Sequence, residues 1–297
     1  MFFFAINLII TDNSNRRIIT LWIFNQMTNS NNIKNKGKKG IYLLPNLFTT
    51  FGIFCGFYGI VASMSGNFSD AGFAIFVAML MDSFDGRVAR MTNTTSAFGA
   101  EYDSLADIVS FGVAPALIAY NWGALEQLGK LGWLAAFVYV VCGALRLARF
   151  NIMPETIDKK YFQGLPIPAS AGVIIGLVWF GEKMHWDGAS HSLLVAIVTV
   201  TCGLLMVSNF RYHSFKEVDW KGKVPFVSVL LMVLVVIMVA YNPPLVLFPA
   251  FTLYLISGPI TTLRRLQKLK AERRRDKTDN KEANKEANEE ANKEDSP

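Results

Sequence analysis

The sequence predicts an all-α membrane protein: a polytopic bundle of about eight transmembrane helices with both termini on the cytoplasmic side. Three observations carry that expectation. Of the 297 residues, 52% are hydrophobic and only 18% are charged, against roughly 45–50% and about 25% in soluble domains. The apolar residues fall into eight runs close to the ~20 residues a helix needs to cross hydrocarbon. Threading those runs back and forth puts 27 of the 29 Lys and Arg residues on one side; only Lys130 and Lys183 fall on the other. Cytoplasmic loops carry such an excess, and a wrong number of crossings would scramble it.

Residues 1–42 read as a polar extension. Phe2–Ile10 is apolar but too short to span, and no basic residue precedes it as a secretory signal requires; an interfacial segment fits it better. Asn25–Lys39 is polar throughout. The predicted crossings are Leu43–Ser63, Ala71–Met91, Phe98–Tyr120, Leu131–Phe150, Leu165–Phe180, Ser192–Val207, Val224–Tyr241 and Leu245–Leu263. The second and third carry acidic residues, and the fourth ends in Arg146 and Arg149. Gln163, Gly164, Pro166 and Pro168 form a turn that opens the fifth, as proline does. The fifth and sixth are short, and the seventh has no charge from Val224 to Ala240. The membrane domain is then 43–263, with a tail at 264–297. Arg264–Lys277 is strongly basic and suits anionic headgroups. Asn280–Glu294 is a polar repeat whose Ala, Glu and Lys favour helix but offer no apolar stripe for docking. The tryptophans read as interfacial belt residues.

Cys55, Cys142 and Cys202 lie inside apolar runs without any CxxC, which argues against a disulfide framework or a thiolate zinc site. The net charge of +6 would suggest nucleic acid in a soluble protein. Here topology accounts for it, and no nucleic-acid partner is expected.

Carboxylates at membrane depth are expensive and commonly functional, so Met81–Gly112 holds the chemistry. Asp82 and Asp85 are i, i+3 at the inner end of the second crossing. Asp103 and Asp107 are i, i+4 near the start of the third. Each spacing puts a pair on one helical face, and the short connection makes the helices antiparallel neighbours whose pairs can face each other. Four converging carboxylates repel strongly unless cations neutralise them. With no His or Cys nearby, all-oxygen ligation suits Mg²⁺ or Mn²⁺. Two such ions held by carboxylates recur in phosphoryl chemistry. Gly86, Ala89 and Gly99 remove bulk beside them, so a nucleotide or pyrophosphate could approach the backbone; helix-packing glycines are the competing reading. A cation transporter would place its carboxylates at the midplane or on broken helices. His185, His191 and His213 are scattered, and no Ser-His-Asp arrangement is available.

The spacing Asp82-x2-Asp85-Gly86-x2-Ala89-Arg90-x8-Gly99-x3-Asp103-x3-Asp107 resembles, at every fixed position, the signature of the CDP-alcohol phosphatidyltransferase family. The segments Leu43–Phe57, Leu145–Asn151, Phe162–Ala171 and Ser208–Lys216 are similar to the bacterial integral-membrane branch that uses serine. That resemblance implies a six-helix core with two added helices. It implies a CDP-diacylglycerol donor, L-serine as acceptor, two divalent ions (Mg²⁺ or Mn²⁺), release of CMP and a homodimer; the Lys and Arg excess lies on the same face as Asp82 and Asp85, which puts the site on the cytoplasmic side of the inner membrane. Asp82, Asp85, Asp103 and Asp107 would be metal ligands, and Asp107 also the base. Asp82, Gly86, Ala89, Arg90 and Gly99 would contact the nucleotide.

Arg146 and Arg149 share one face of the fourth crossing, and with Arg211 they sit at inner helix ends. Arginine binds phosphate or carboxylate bidentately, which makes the three candidates for the lipid phosphate or the serine carboxylate; snorkelling is the bland alternative. Asn46 and Thr49 are candidate wall residues, or caps. Glycerol phosphate, inositol phosphate or choline as acceptor, and an archaeal-type lipid donor, remain open alternatives.

Overall fold

The computed structural model describes residues 43–92, 96–152, 161–213 and 226–294. The readings placed on residues 1–42, including the interfacial segment, lie outside the described residues. The described chain is mostly helical, and a helix occupies each of the eight apolar runs. In order these are α1 (Leu43–Met64), α2 (Phe68–Met91), α3 (Ala97–Asp107), a π turn (Ile108–Val113), α4 (Ala114–Trp122), α5 (Lys130–Ile152), β1 (Tyr161–Gln163), α6 (Ile167–Lys183), α7 (Ser192–Val207), β2 (Arg211–His213), α8 (Phe226–Tyr241) and α9 (Pro243–Glu294). The third predicted crossing thus comprises α3, the π turn and α4.

Five helical stretches among the described residues are long and apolar enough to cross a membrane: Pro45–Met64, Ala97–Trp122, Lys130–Ile152, Ala189–Val207 and Pro243–Arg265. The other three candidates are α2, which carries Asp70, Asp82, Asp85, Arg87 and Arg90, and α6 and α8, of 17 and 16 residues.

Glycine permits the closest approaches. α1 and α2 run antiparallel, with Gly59 against Ala71 and Ile75, Gly52 facing the Ala78 carbonyl and Thr49 bonded to Asp85. α6 is buried on all sides, through Ile167, Ala171, Val173, Ile174, Ile175 and Val178. A helix apolar all round belongs in a core, and α6 touches α2, α4, α7 and α9. Its Gly172-x3-Gly176 ridge receives Phe251 and Phe248 of α9. A methyl at Gly172 would stand 2.7 Å from the Phe251 ring, so bulk there would force the helices apart. α8, by contrast, exposes Leu230, Leu234, Val236 and Ile237.

Two polar ties close the end of the bundle remote from the carboxylates. The Asn121 amide donates to the Ser63 hydroxyl at 3.0 Å, and Trp122 Nε1–H donates to Glu182 Oε1 at 2.8 Å. Trp122 is only 5% exposed, so it is a core residue rather than the belt residue its type suggested. At the other end, β1 and β2 form a short antiparallel ladder, with Gln163 opposite Arg211. Gly164 follows at φ +74°, pressed against the Met206 carbonyl. Only glycine takes both that conformation and that contact. The compositional break at Leu263 is not a break in the backbone, because α9 continues to Glu294.

Candidate active site

α1, α2 and α3 bring the predicted carboxylates together. One oxygen each from Asp82, Asp85 and Asp103 can be chosen so that all lie within 4.8 Å of one another. Asp107, one turn beyond Asp103, lines the same cavity with Thr49, Gly52, Ala106 and Ser110. Asp85 is buried, at 5% exposure, and the other three are half-buried. Asp107 feels the charges of Asp82, Asp103 and Asp85, opposed by the guanidinium of Arg146. Carboxylates packed this closely repel one another. The surrounding donors are oxygens, which fits a hard divalent cation.

The neighbours of the cluster hold it in place. The Thr49 hydroxyl donates to Asp85 Oδ2 at 2.8 Å, which fixes that carboxylate against α1. Thr50 and Tyr102 share a hydrogen bond of 2.9 Å between α1 and α3. The Asn151 amide donates to the Ser104 hydroxyl at 3.1 Å and ties α3 to α5. Ser96 caps α3, accepting from the Gly99 amide at 3.0 Å. Such a cap is worth about 1 kcal/mol and sets where the Asp103–Asp107 face begins.

The π turn follows immediately after Asp107. Pro115 has no N–H, so it cannot bond back to the Phe111 carbonyl four residues earlier. The wider turn accommodates this: the Ala114 N–H reaches Val109, and the Tyr139 hydroxyl donates to Phe111 O at 2.9 Å. Ser110, within the turn, donates to Gly52 O at 3.1 Å, and its Cα lies 2.8 Å from where a methyl on Gly56 would stand. Gly52 and Gly56 therefore let α1 close directly on the segment after Asp107. Single π turns inside α-helices are frequent at functional sites.

The remaining predicted residues distribute unevenly. Gly86 faces open space, with nothing within 4 Å of an added methyl. Ala89 is half-buried, and the Arg90 side chain lies outside what is described. Gly99 sits beside Asn46, whose Oδ1 is 3.7 Å from the position of a Gly99 methyl. Arg146 is half-buried, and its charge acts on Asp107. The Arg149 guanidinium turns to the loops: Nη2 donates to Gln163 Oε1 at 2.7 Å and Asn209 Oδ1 at 3.0 Å. The Arg211 backbone is held by α9, its N–H by Thr262 at 3.1 Å and its carbonyl by Thr261 at 3.0 Å. Sequence reasoning had assigned nothing to Ser110, Tyr102 or Tyr139. Pro115, fixed in the middle of an apolar run, was the available signal for the turn.

Paired carboxylates on two facing helices, with small residues around them, define an enzyme of the CDP-alcohol phosphatidyltransferase family. The chain belongs to that family, whose profile matches residues 42–204. It is 42% identical over 231 residues to the CDP-diacylglycerol–serine O-phosphatidyltransferase of Helicobacter pylori, covering 77% of this chain and 94% of that one. It is 38% identical over 174 residues to the Bacillus subtilis protein of the same name, covering 59% and 92%. Similarity to the archaetidylserine synthase of Methanothermobacter thermautotrophicus is 35% over 171 residues, covering 57% and 69%.

Proposed function

We propose that this protein transfers the phosphatidyl group of CDP-diacylglycerol to the hydroxyl of L-serine, giving phosphatidylserine and CMP. The observation that carries this reading is the convergence of Asp82, Asp85 and Asp103 with Asp107 in one cavity. Asp82, Asp85, Asp103 and Asp107 would hold two divalent ions, Mg²⁺ or Mn²⁺. When bound, these would offset the negative charge of the diphosphate and of the departing CMP. Asp107 takes the proton of the serine hydroxyl as its oxygen bonds to the diacylglycerol-bearing phosphorus and the bond to CMP breaks. Gly86, Ala89, Arg90 and Gly99, with Asn46 beside Gly99, form the nucleotide side. Thr49 holds Asp85 in position. Arg146, whose charge acts on Asp107, would receive the serine carboxylate, while Arg149, bonded to Gln163 and Asn209, and Arg211 would shape the loops behind it. The names of the relatives support serine more firmly than they support one lipid, since the archaeal relative is named for archaetidylserine.

The test is an acceptor panel with purified protein, CDP-diacylglycerol and Mg²⁺. CMP release is expected with L-serine. Release with glycerol phosphate, inositol phosphate or choline, and not with serine, would overturn the acceptor assignment.

The same reading takes all eight apolar helices as crossings, with both termini and the carboxylates on the cytoplasmic face of the cell membrane, and the protein as a homodimer. Antiparallel α1 and α2, tied from Thr49–Asp85 at one end to Gly59–Ala71 at the other, support α2 as a crossing despite its charges. Cysteines placed at Asn93 and Glu126 should react with impermeant reagents from opposite sides of sealed vesicles. The native cysteines are buried and give low background. Reaction of both sites from one side would refute this topology.

A further inference from the structure

Asp107 and Asp85 are held in different ways. The Thr49 hydroxyl fixes the Asp85 carboxylate directly. No hydrogen bond to the Asp107 side chain is found among the described residues. A carboxylate without a tether of its own is aimed by its backbone, and the backbone that leaves Asp107 is the π turn Ile108–Val113.

That turn is fixed by three contacts to its neighbours. Ile108, the residue after Asp107, seats its Cδ1 between two glycines: a methyl on Gly112 would stand 2.7 Å from it, and a methyl on Gly143 of α5 would stand 3.5 Å from it. The buried Ser110 hydroxyl donates to Gly52 O of α1 at 3.1 Å. The buried Phe111 carbonyl, which Pro115 cannot serve, accepts from the Tyr139 hydroxyl of α5 at 2.9 Å. Tyr139 is fully buried, and α7 closes on it, since a methyl on Gly203 would stand 3.1 Å from Tyr139 Cα. A donor seated in a close-packed interior has little room to shift. Ser110 and Phe111 also line the cavity that Asp107 lines, so the tethered segment is a wall of the site. With Pro115 withholding one N–H, the turn lacks a bond that an unbroken helix would have, and the two hydroxyls tie it to α1 and α5 instead.

We propose that Tyr139 and Ser110 are positioning residues for the reaction: through the π turn they fix the backbone that aims the Asp107 carboxylate, and they set turnover without touching either substrate. This rests on the transferase reading above, in which Asp107 takes the acceptor proton. A misplacement of about 1 Å at a reacting group can cost about a hundredfold in rate, so a tether of this kind acts on the chemical step more than on binding.

The test is turnover of the purified full-length protein with CDP-diacylglycerol, serine and Mg²⁺, expressed per CDP-binding site so that loss of folded protein does not count. Tyr139→Phe keeps the ring and removes the hydroxyl; Ser110→Ala cuts the other tether and decides the matter should Tyr139→Phe not fold. Each is expected to lower turnover per site at least tenfold, with the KM for serine and the binding of CDP changed less than about threefold. Ser63→Ala is the control, because it removes a buried hydrogen bond to Asn121 at the end of the bundle remote from the carboxylates. It should lower the melting temperature and leave turnover per site within about twofold. Placed in an Asp107→Asn background, Tyr139→Phe and Ser110→Ala should lower the residual turnover by less than about threefold, because they act through Asp107. Parent-like turnover per site in the folded single variants, or a full additional loss in the Asp107→Asn background, would overturn the proposal. Parent-like turnover in Asp107→Asn itself would instead overturn the base assignment on which it rests. Should the parent release CMP with another acceptor and not with serine, the acceptor assignment alone fails, and the same comparison made with that acceptor decides the role of the two hydroxyls.

Discussion

Asp107→Asn is expected to lower turnover by about 10²–10⁴, the usual loss on removing a general base, while CDP still binds in the presence of Mg²⁺. The carboxamide keeps the size and one acceptor oxygen of the carboxylate but cannot take a proton near neutral pH. Asp85 and Asp103 keep their seats, because Thr49 holds Asp85 and the Ser96 cap and Tyr102 seat α3. Turnover measured beside CDP binding gives the answer. Turnover near the parent rate would show that Asp107 is not the base. Loss of CDP binding as complete as in Asp82→Asn would show that ligation is its main role.

Removing divalent ions with chelator is expected to abolish CMP release, and Mg²⁺ or Mn²⁺ should restore it. The physical ground is the close approach of three carboxylates, with Asp107 lining the same cavity. A bound ion relieves their repulsion, so metal should also stabilise the fold. At a hundredfold excess over its Kd, a ligand that binds only the folded state adds about 2.7 kcal/mol. The melting temperature in detergent should therefore rise with Mg²⁺ in the parent and rise less in Asp82→Asn and Asp85→Asn. Full activity in chelator, with no metal carried over, would rule out the divalent-ion mechanism.

The carboxylate cluster was legible because its information is local. Asp82/Asp85 and Asp103/Asp107 are spaced at one helical turn, and a short connection leaves few ways for two such helices to meet. The apolar runs were legible for the same reason, since crossing length and composition are properties of a segment. What escaped depends on partners distant in sequence. Arg146 and Arg149 share a helical face, yet only the positions of Gln163 and Asn209 determine that Arg149 turns to the loops. Tyr161–Gln163 and Arg211–His213 become strands because each finds the other across α6 and α7, and three residues carry too little pattern to announce it. The break at Leu263 marks where the chain stops being apolar, while Ala, Lys and Glu continue the helix regardless. Trp122 was placed by residue type, and its Glu182 partner could be seen only in three dimensions.

The π turn after Asp107 has a consequence for how the third crossing can change. An extra residue in one turn shifts the angular phase of everything beyond it by about 100°, the step of a single α-helical residue. The stretch ending at Asp107 and the stretch beginning at Ala114 are therefore out of register with each other by design of the backbone. The first half keeps its carboxylates trained on α2 while the second presents Ala116, Ile118 and Ala119 to the interior. A straight α-helix would lock the two facings together, so that re-aiming one would drag the other with it. Here the extra residue lets Asp103 and Asp107 line the cavity while Ala116, Ile118 and Ala119 turn into the packed interior, two facings that one unbroken periodicity would not set independently.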